Sequence, residues 1–385
     1  MTNALRIGFI PLVDAAALIV AVDKGFTGAE GLDVNLVREV SWSNVRDKLN
    51  IGLFDAAHLL APVAIASSLG IGHVRVPIVA PFNLGINGNA ITVSPALHAE
   101  IMAEIDGDRF DPMVTALALS RVVARRRKEA ADPLTFAMTF PFSTHNYQLR
   151  FWMAAGGVDP DEDVRLVVLP PPYMVDSLAN GHVDGFCVGA PWNSIAVDQG
   201  LGHILHFVSD ILSHAAEKVL ALRQDWAEKN PDVLAALIRA CARGAEFIEH
   251  DHAGAAAILA SPERIGVSAE IIQRTLDGRL KISPDGTVRE SARYLLVGRE
   301  GAARPDPVQA AWLYSQMVRW GQTVHSADAL RTAMAVFRQD IYDAVLGPAG
   351  DADARDGVGA FAGPPFDPDD VAGHLKAFAI GRWKA

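Results

Sequence analysis

The sequence predicts an α/β protein of two lobes with similar construction, joined by a hinge. Strand and helix patterns alternate from the N-terminus onward, and the same alternation returns in the middle of the chain. A long, mainly helical part follows. With 385 residues, the chain is too long for one simple domain and ample for two.

Composition and charge exclude several classes of protein. Because 50% of the residues are hydrophobic, the chain is not of the disordered class. The formal net charge of −11 argues against a nucleic-acid surface, since phosphate binding needs clustered Lys and Arg. The one basic run, 125–128, is followed by Glu129 and fits a solvated helix face. We therefore expect no direct nucleic-acid partner.

No cofactor, metal site or membrane segment is predicted. Cys187 and Cys241 lie far apart without C-x-x-C spacing, which argues against a disulfide scaffold or a zinc site. No window approaches the ~20 apolar residues of a membrane helix. The first residues enter a strand pattern without the features of a signal peptide, so the expected location is the cytoplasm.

The first lobe begins with alternating elements. Apolar periodicity and helix-stop residues place a strand, a helix, a strand, a helix and a strand at 5–10, 15–22, 32–37, 43–50 and 55–60. This order implies a mostly parallel sheet that is covered on both faces.

The same plan recurs in the second third of the chain. Four positions match in order: Ile10-Pro11 with Phe140-Pro141, Gly52 with Gly181, Asp55 with Asp184, and Pro62 with Pro191. In each copy a helix ends at Gly, a strand passes through Asp, and Pro follows Ala. Two lobes of like construction explain these matches.

Residues 135–157 carry the clearest sign of a binding site. A strand ends at Pro141, Ser143 or Thr144 caps a helix, and a Gly-Gly pair stops that helix. Its first turn holds His145 and free backbone N–H groups, which attract a small anion. An ordinary strand–loop–helix of a hydrophobic core explains the same pattern and stays open.

The strand ends predict where the cleft and the hinge lie. Ligands of parallel α/β sheets bind beyond the carboxyl ends of the strands, which here are 11–13, Trp42, 58–60, 143–145 and 187–189. The chain is predicted to cross between lobes near Asn89 and Gly189, and two such crossings form a hinge. The first lobe then comprises 1–88 and 190–385, and the second lobe 89–189. The later helices, at 233–249, 307–321 and 327–346, are expected to pack on the first lobe.

Long motifs resemble one known family. They are GFIPLVDAAALIVAVDKGF, SWSNVRDKLNIGLFDAAHLLAP, NGNAIT, TFPFSTHNYQLRFWMAAGGVDPDEDVRLVVLPPPYMV, VDGFCVGAPWN, EKVLALRQDW and FDPDD. With them the sequence resembles the nitrate/bicarbonate group of ABC-transporter solute-binding proteins, almost end to end. The resemblance implies a periplasmic-binding-protein-like fold of type II, with a hinge and an interlobe ligand cleft.

Within that group the sequence is most similar to the cytoplasmic nitrate/nitrite sensor (NasS-type), because no signal peptide is recognised. The partner of that sensor is an RNA-binding antiterminator regulator of nitrate assimilation genes. Residues 95–132 form an insert relative to the importer proteins, and the sequence predicts no role for them.

The resemblance assigns five residues to nitrate binding. Trp42 would supply an indole N–H, Asn89 an amide, His145 a ring nitrogen, Gly189 a backbone N–H, and Lys218 the positive charge. Apart from the resemblance, the Trp fits a core, the Asn a turn, the His a helix cap and the Lys a surface.

The chemistry of these five residues predicts the ligand. Nitrate only accepts hydrogen bonds, and the five residues together form a site of donors alone. Bicarbonate carries its own O–H and needs an acceptor, and the bicarbonate-binding relatives have an acidic residue at the position of Lys218. We therefore expect nitrate, with nitrite as a near neighbour, and neither metal nor cofactor.

Three functions are open. The first is a cytoplasmic nitrate/nitrite sensor that controls the antiterminator, and the alternative is the substrate-binding component of an ABC-type nitrate/nitrite importer. An enzyme is third, because pyrimidine-precursor synthases share the superfamily. Their cysteine-rich motif is absent and no Ser or Cys is placed with a base, so no enzymatic activity is expected.

Overall fold

The structure is a computed structural model that describes residues 4–348 and 358–383. These residues form two α/β lobes, one built on a six-stranded sheet and the other on a five-stranded sheet. The predicted two-lobed α/β fold is confirmed. No helix within these residues is both long and apolar enough to cross a membrane.

The secondary structure elements follow one another in a regular alternation along both lobes. The strands are β1 (Leu5–Phe9), β2 (Val34–Arg38), β3 (Ala56–Leu60), β4 (Ile78–Asn87), β5 (Asn89–Val93), β6 (Thr135–Met138), β7 (Arg165–Val168), β8 (Gly185–Gly189), β9 (His203–Phe207), β10 (Ala216–Arg223), β11 (Arg279–Lys281), β12 (Val288–Glu290) and β13 (Leu295–Leu296). The α-helices are α1 (Ala16–Asp23), α2 (Phe26–Ala29), α3 (Trp42–Asn50), α4 (Ala61–Leu69), α5 (Pro95–Ala103), α6 (Pro112–Lys128), α7 (Thr144–Ala155), α8 (Met174–Ala179), α9 (Trp192–Asp198), α10 (Val208–Ile211), α11 (Gln224–Lys229), α12 (Pro231–His250), α13 (His252–Leu259), α14 (Ala269–Leu276), α15 (Pro307–Arg319), α16 (Ala327–Val336), α17 (Gln339–Leu346) and α18 (Val371–Lys376).

The two sheets share one plan. The strand order is β13-β4-β10-β3-β1-β2 in the first lobe and β7-β6-β8-β5-β9 in the second. Strand β1 lies parallel between β2 and β3, as β6 lies parallel between β7 and β8. The next strand, β10 or β5, runs antiparallel, and each is the first strand after the chain changes lobe.

The repeated aspartates make equivalent hydrogen bonds in both lobes. Asp55 precedes β3 and accepts a hydrogen bond from the backbone N–H of Arg6 at 2.8 Å. Asp184 precedes β8 and accepts one from the backbone N–H of Thr135, also at 2.8 Å. Each carboxylate therefore anchors the start of the lobe's central strand, which explains physically why the sequence pattern recurs.

The chain returns to the first lobe later than predicted. It leaves the first sheet at Gly88, whose φ of +90° favours glycine. Strand β9 pairs with β5 in the second sheet, so the return lies between Phe207 and Ala216, and the predicted boundary at Gly189 is wrong. The exit after Ala190 resembles a domain boundary in sequence, but it leads through α9 to one more strand of the second lobe.

Two further expectations change in detail. The helix predicted at 327–346 is broken at Phe337, whose backbone bridges to Ala80 of β4 and is extended there (φ −84°, ψ 98°). The insert at 95–132 contains α5 and α6, and its basic run is held by ion pairs of Arg125 and Arg126 with Glu100 at 2.8 and 3.0 Å. That run therefore belongs to the scaffold of the second lobe.

Helices α1 and α12 pack closely together at Gly244. A β-carbon at this position would lie 2.2 Å from the carbonyl oxygen of Ala17. We expect Gly244→Ala to force the helices apart and to lower the free energy of unfolding by roughly 1–3 kcal/mol, as overpacked cores do. Urea denaturation measures this change.

The matched control is Gly28→Ala on the exposed surface of α2. A β-carbon there would meet nothing within 4 Å, so the free energy of unfolding should stay the same or rise slightly. Equal losses in the two variants would contradict the close packing of α1 on α12.

Candidate functional site

The five residues predicted from the sequence meet in one buried network between the lobes. Trp42 begins α3 and Lys218 lies on β10, both in the first lobe. Asn89 on β5 is paired with Gly189 on β8, and His145 lies in the first turn of α7. The side chains of Trp42, Asn89, His145 and Lys218 are at most 1% exposed. A ligand in contact with them is shielded from water.

Serine caps fix the two helices that deliver Trp42 and His145. The Ser41 hydroxyl accepts from the backbone N–H of Asn44 at 3.3 Å and starts α3. The Ser143 hydroxyl accepts from the backbone N–H of Asn146 at 3.1 Å and starts α7. The predicted cap of α7 is therefore Ser143, and both helix N-termini, with their partial positive charge, lie at the cleft.

A bulge in β10 brings two consecutive charged side chains into the cleft. Ala216 pairs with Ile86 of β4, whereas Lys218, two residues later, pairs with the neighbouring Gly85. Consecutive residues of a regular strand point to opposite faces, but a bulge removes that constraint. Glu217 and Lys218 consequently share one side, and the Glu217 Oε1 lies 2.8 Å from the Lys218 Nζ.

Lys218 is held by two carboxylates. Its Nζ lies 2.8 Å from the Asp14 Oδ2 as well as from Glu217, and the other Asp14 oxygen lies 2.9 Å from the Nε2 of His58. Burial lowers the pKa of Lys218, but the two carboxylates outweigh burial and raise it. Burial raises the pKa of Asp14, but Lys218 and His58 outweigh burial and lower it to about 2. The ammonium is therefore charged and already paired.

Glu217 connects the two lobes. Its Oε2 accepts a hydrogen bond from the Asn89 Nδ2 at 2.7 Å, and its Oε1 lies 3.4 Å from the Nδ1 of His145. The Oγ1 of Thr139 also lies 3.1 Å from that Nδ1. Burial, with a smaller contribution from Lys218, lowers the pKa of His145 to about 4 despite the carboxylates. His145 is thus neutral at pH 7 and supplies no charge in this state.

The site is not made of donors alone, so that expectation is wrong. The strand ends placed His58 at the cleft, but no sequence pattern assigned a role to Asp14, Gln148 or Glu217. All four residues belong to the network. Asp14 follows the end of β1, where a cleft residue is expected, and so carried a signal. Glu217 carried no such signal. In a regular strand, consecutive side chains point to opposite faces, so a cleft-facing Lys218 would place Glu217 on the other face.

Several buried polar atoms of this network have no hydrogen-bond partner within the protein. They include the Trp42 Nε1, the Asn89 Oδ1, the His145 Nε2 and the Gln148 Nε2. The Asp14 Oδ2 also has no hydrogen bond, and Lys218 holds it as an ion pair. Buried polar atoms are nearly always paired, and those that are not require an explanation. Their concentration around Lys218, with both donors and an acceptor present, marks a site for a small polar ligand.

The described residues of the network form neither a metal site nor a reactive nucleophile. Within residues 4–348 and 358–383, no cluster of three or more His, Cys, Asp or Glu side chains could hold a metal ion. Cys187, next to Gln148, is a buried free thiol, and burial raises its pKa well above the usual range. Such a thiol is inert, since the thiolate is the reactive form.

The ion pairs of Lys218 should matter for stability as well as for binding. Lys218→Met leaves Asp14 and Glu217 buried without their cation, so we expect a loss of roughly 3–5 kcal/mol in the free energy of unfolding. Chemical denaturation at neutral pH measures it. Adding Asp14→Asn to Lys218→Met should restore part of the loss.

Lys229→Met is the control, because Lys229 is 75% exposed and lies 3.7 Å from Asp225. Exposed pairs contribute about 0–1 kcal/mol. If Lys218→Met cost no more than Lys229→Met, the buried ion pairs would not stabilise the fold.

Comparison with known proteins gives these residues a context. The NMT1-like family matches residues 1–261 of the chain. The nitrate/nitrite binding protein NrtA of Synechococcus elongatus is 32% identical over 400 residues, which cover 100% of this chain and 88% of NrtA. The nitrate import ATP-binding protein NrtC of Synechocystis is 34% identical over 98% of this chain, which spans only 55% of NrtC. The bicarbonate transport ATP-binding protein CmpC of Synechococcus elongatus is 30% identical, and the chain spans 55% of it.

Solved structures agree with the sequence relatives. The crystal structure of the periplasmic nitrate-binding protein NrtA from Synechocystis superposes with a TM-score of 0.88 at 28% identity, over 98% of this chain and 99% of that chain. The alkanesulfonate-binding protein SsuA of Xanthomonas axonopodis shares the fold, with a TM-score of 0.54 at 16% identity. The family match and the full-length relatives together show that the chain belongs to the NMT1-like family.

Proposed function

We propose that the protein is a solute-binding protein that closes its two lobes over nitrate or nitrite, as the substrate-binding component of an ABC-type importer. The observation that carries this proposal is the group of unpartnered polar atoms around Lys218, at the N-termini of α3 and α7. Relatives along the whole chain are named as nitrate/nitrite binding proteins, which supports the same ligand.

The geometry supports a small anion. The Trp42 Nε1–H and the Gln148 Nε2–H are unpartnered donors, and the Lys218 Nζ lies 5.4 Å from the centre of the Trp42 ring. A β-carbon at Gly189 would lie 3.3 Å from the Asp14 Oδ2 and 3.4 Å from the Asn89 Oδ1. Glycine therefore keeps this wall of the cleft open, and the predicted contact of its backbone N–H with the anion stays part of the proposal.

Bicarbonate is the second candidate ligand, and a specific observation favours it. The unpartnered Asn89 Oδ1 and the carboxylates of Asp14 and Glu217 are acceptors, which nitrate cannot use and the O–H of bicarbonate can. CmpC, a relative of 30% identity, is named as a bicarbonate transport protein. Lys218 and the donors of the cleft favour nitrate, which therefore remains the first candidate ligand.

The sensor role is a further candidate for the same cleft. In that role the protein stays in the cytoplasm, and anion binding releases an RNA-binding antiterminator. None of the relatives reported above is named as a regulator, so the importer role is placed first. Pull-down with a cognate antiterminator at varied nitrate concentration distinguishes the sensor role from the importer role. If nitrate weakens binding of the partner by some factor, linkage requires the partner to weaken binding of nitrate by the same factor. Equal capture with and without nitrate contradicts the sensor.

Titration calorimetry with nitrate, nitrite and bicarbonate tests the proposed ligand. We expect one nitrate or nitrite per chain. Trp42→Phe keeps the ring and removes the N–H, so it should weaken nitrate binding about tenfold or more, the effect of losing one hydrogen bond to a charged group. Trp226→Phe in α11, away from the cleft, should bind as the wild type does. If only bicarbonate gave a binding signal, nitrate would be wrong as the proposed ligand and bicarbonate would replace it.

Anion binding should take up a proton. Lys218 faces two carboxylates, so an added anion increases the excess of negative charge in a buried site. An anion at the His145 Nε2, with Glu217 at the Nδ1, favours the imidazolium and raises its pKa from about 4. Because the bound form then holds more protons, nitrate affinity should rise as pH falls from about 8 to about 5.

Calorimetry in buffers of different ionisation enthalpy counts the protons directly. We expect uptake of up to one proton per nitrate in the wild type, and His145→Gln should abolish it. Nitrate affinity that is independent of pH over the same range would show that the cleft does not exchange protons with its ligand.

A further inference from the structure

A second cavity lies away from the interlobe cleft, between α15, α18 and the segment 358–366. Its volume is about 450 Å³, within the usual range of small-molecule sites. It is lined by Trp312, Val358, Gly359, Ala360, Gly363, Pro364, Pro365, Phe366 and His374. None of these residues belongs to the cleft network, so the cavity needs its own explanation.

The cavity sits where the two lobes and the return crossing meet. Ala360 in its wall bridges to Leu212, in the segment that leads the chain back to the first lobe, and the backbone N–H of Phe361 donates to Ile211 at 3.0 Å. Phe151 of α7, in the second lobe, packs on Phe361 with ring centres 5.8 Å apart. A molecule bound in the cavity would therefore contact the wall that is attached to the hinge.

Two buried side chains that line the cavity, Trp312 and His374, have ring nitrogens without a hydrogen-bond partner. The Trp312 side chain is 1% exposed, and its Nε1–H makes no hydrogen bond. His374 is 7% exposed, and neither of its ring nitrogens has a partner with hydrogen-bond geometry, although the nearby Pro365 carbonyl opposes the lowering of its pKa by burial. An indole N–H can only donate, so the group that satisfies Trp312 must be an acceptor.

The surroundings of the cavity favour negative charge in that acceptor. Arg319, 3% exposed, makes no ion pair with any described carboxylate, and its guanidinium lies 3.9 Å from the centre of the Phe378 ring. Phe378 packs in turn against His374, with ring centres 5.0 Å apart. Burial and Arg319 lower the pKa of His374. None of the described residues that line the cavity is acidic.

The remaining wall is apolar and partly aromatic. Val358, Ala360, Pro364, Pro365 and Phe366 present hydrocarbon surface to the cavity. Such a wall favours an apolar body, because moving apolar surface out of water is favourable. The occupant must therefore combine an apolar body with one acceptor group.

We propose that this cavity is a binding site for a small apolar carboxylate, whose carboxylate accepts hydrogen bonds from the Trp312 Nε1–H and from His374. The apolar body of the ligand packs against Val358, Pro365 and Phe366. Arg319, a buried cation near His374, stabilises the negative charge through space. The site is independent of the interlobe cleft and does not rest on nitrate as the ligand there.

Titration with benzoate tests the proposal. Benzoate should bind the full chain saturably, with one equivalent per chain. Benzyl alcohol, which has the same ring without the charge, should bind at least about fivefold more weakly, and Trp312→Phe should weaken benzoate by at least about fivefold, since each change removes a charge-assisted hydrogen bond. Acetate, which lacks the apolar body, should not bind measurably.

A control and a second measurement locate the benzoate. Trp42→Phe, in the interlobe cleft, should leave benzoate affinity unchanged. If Trp312→Phe does not fold, the indole N–H resonance of Trp312 in the wild type replaces it, and this resonance should shift on titration with benzoate. The proposal is overturned if benzoate fails to bind, if Trp42→Phe rather than Trp312→Phe weakens it, or if the Trp312 resonance does not move at saturation.

Discussion

The buried carboxylate of Glu217 joins the two lobes at the centre of the cleft. It belongs to the first lobe, yet it hydrogen-bonds to Asn89 of the second lobe at 2.7 Å and lies 3.4 Å from the Nδ1 of His145. A carboxylate that is removed from water without partners is strongly unfavourable. Lys218 and the residues of the second lobe together supply those partners, so the buried charges and the approach of the lobes stabilise each other.

The ion pairs of Lys218 within the protein affect how the cleft selects its ligand. Lys218 is not a free cation, because Asp14 and Glu217 already hold it at 2.8 Å. An entering anion competes with these carboxylates for the ammonium. It meets no competing acceptor at Trp42 or Gln148, because their side-chain nitrogens have no partner. Selectivity therefore depends on how the charges rearrange and not only on the number of donors in the cleft.

The internal repeat has a functional consequence. Because the lobes are built alike, each delivers a serine-capped helix N-terminus to the cleft, α3 with Trp42 in one lobe and α7 with His145 in the other. The partial positive charge of two helix N-termini offsets part of the excess negative charge of the carboxylates. Asp55 and Asp184 anchor the central strands in the same way in both lobes, and so hold the two helices in comparable positions.

The sequence by itself determined the local elements and most of the fold. Apolar periodicity and the Gly, Pro and Ser breaks placed β1, α3, β6 and α7 within one or two residues, because these signals act over a single element. The family resemblance proposed Trp42, Asn89, His145, Gly189 and Lys218 as site residues, and the structure brings them together. The repeat revealed two lobes, since both sheets use the same hydrogen bonds at Asp55 and Asp184.

Only the tertiary structure decided which charges meet. The bulge that turns Glu217 into the cleft depends on how β10 pairs with β4, more than a hundred residues earlier in the chain, and no local pattern encodes that pairing. The edge position of β9 and the break at Phe337 were decided in the same way, by pairing with β5 and β4. Local propensity determines the elements, whereas strand pairing and burial determine the charge of the site, because both are properties of distant segments in contact.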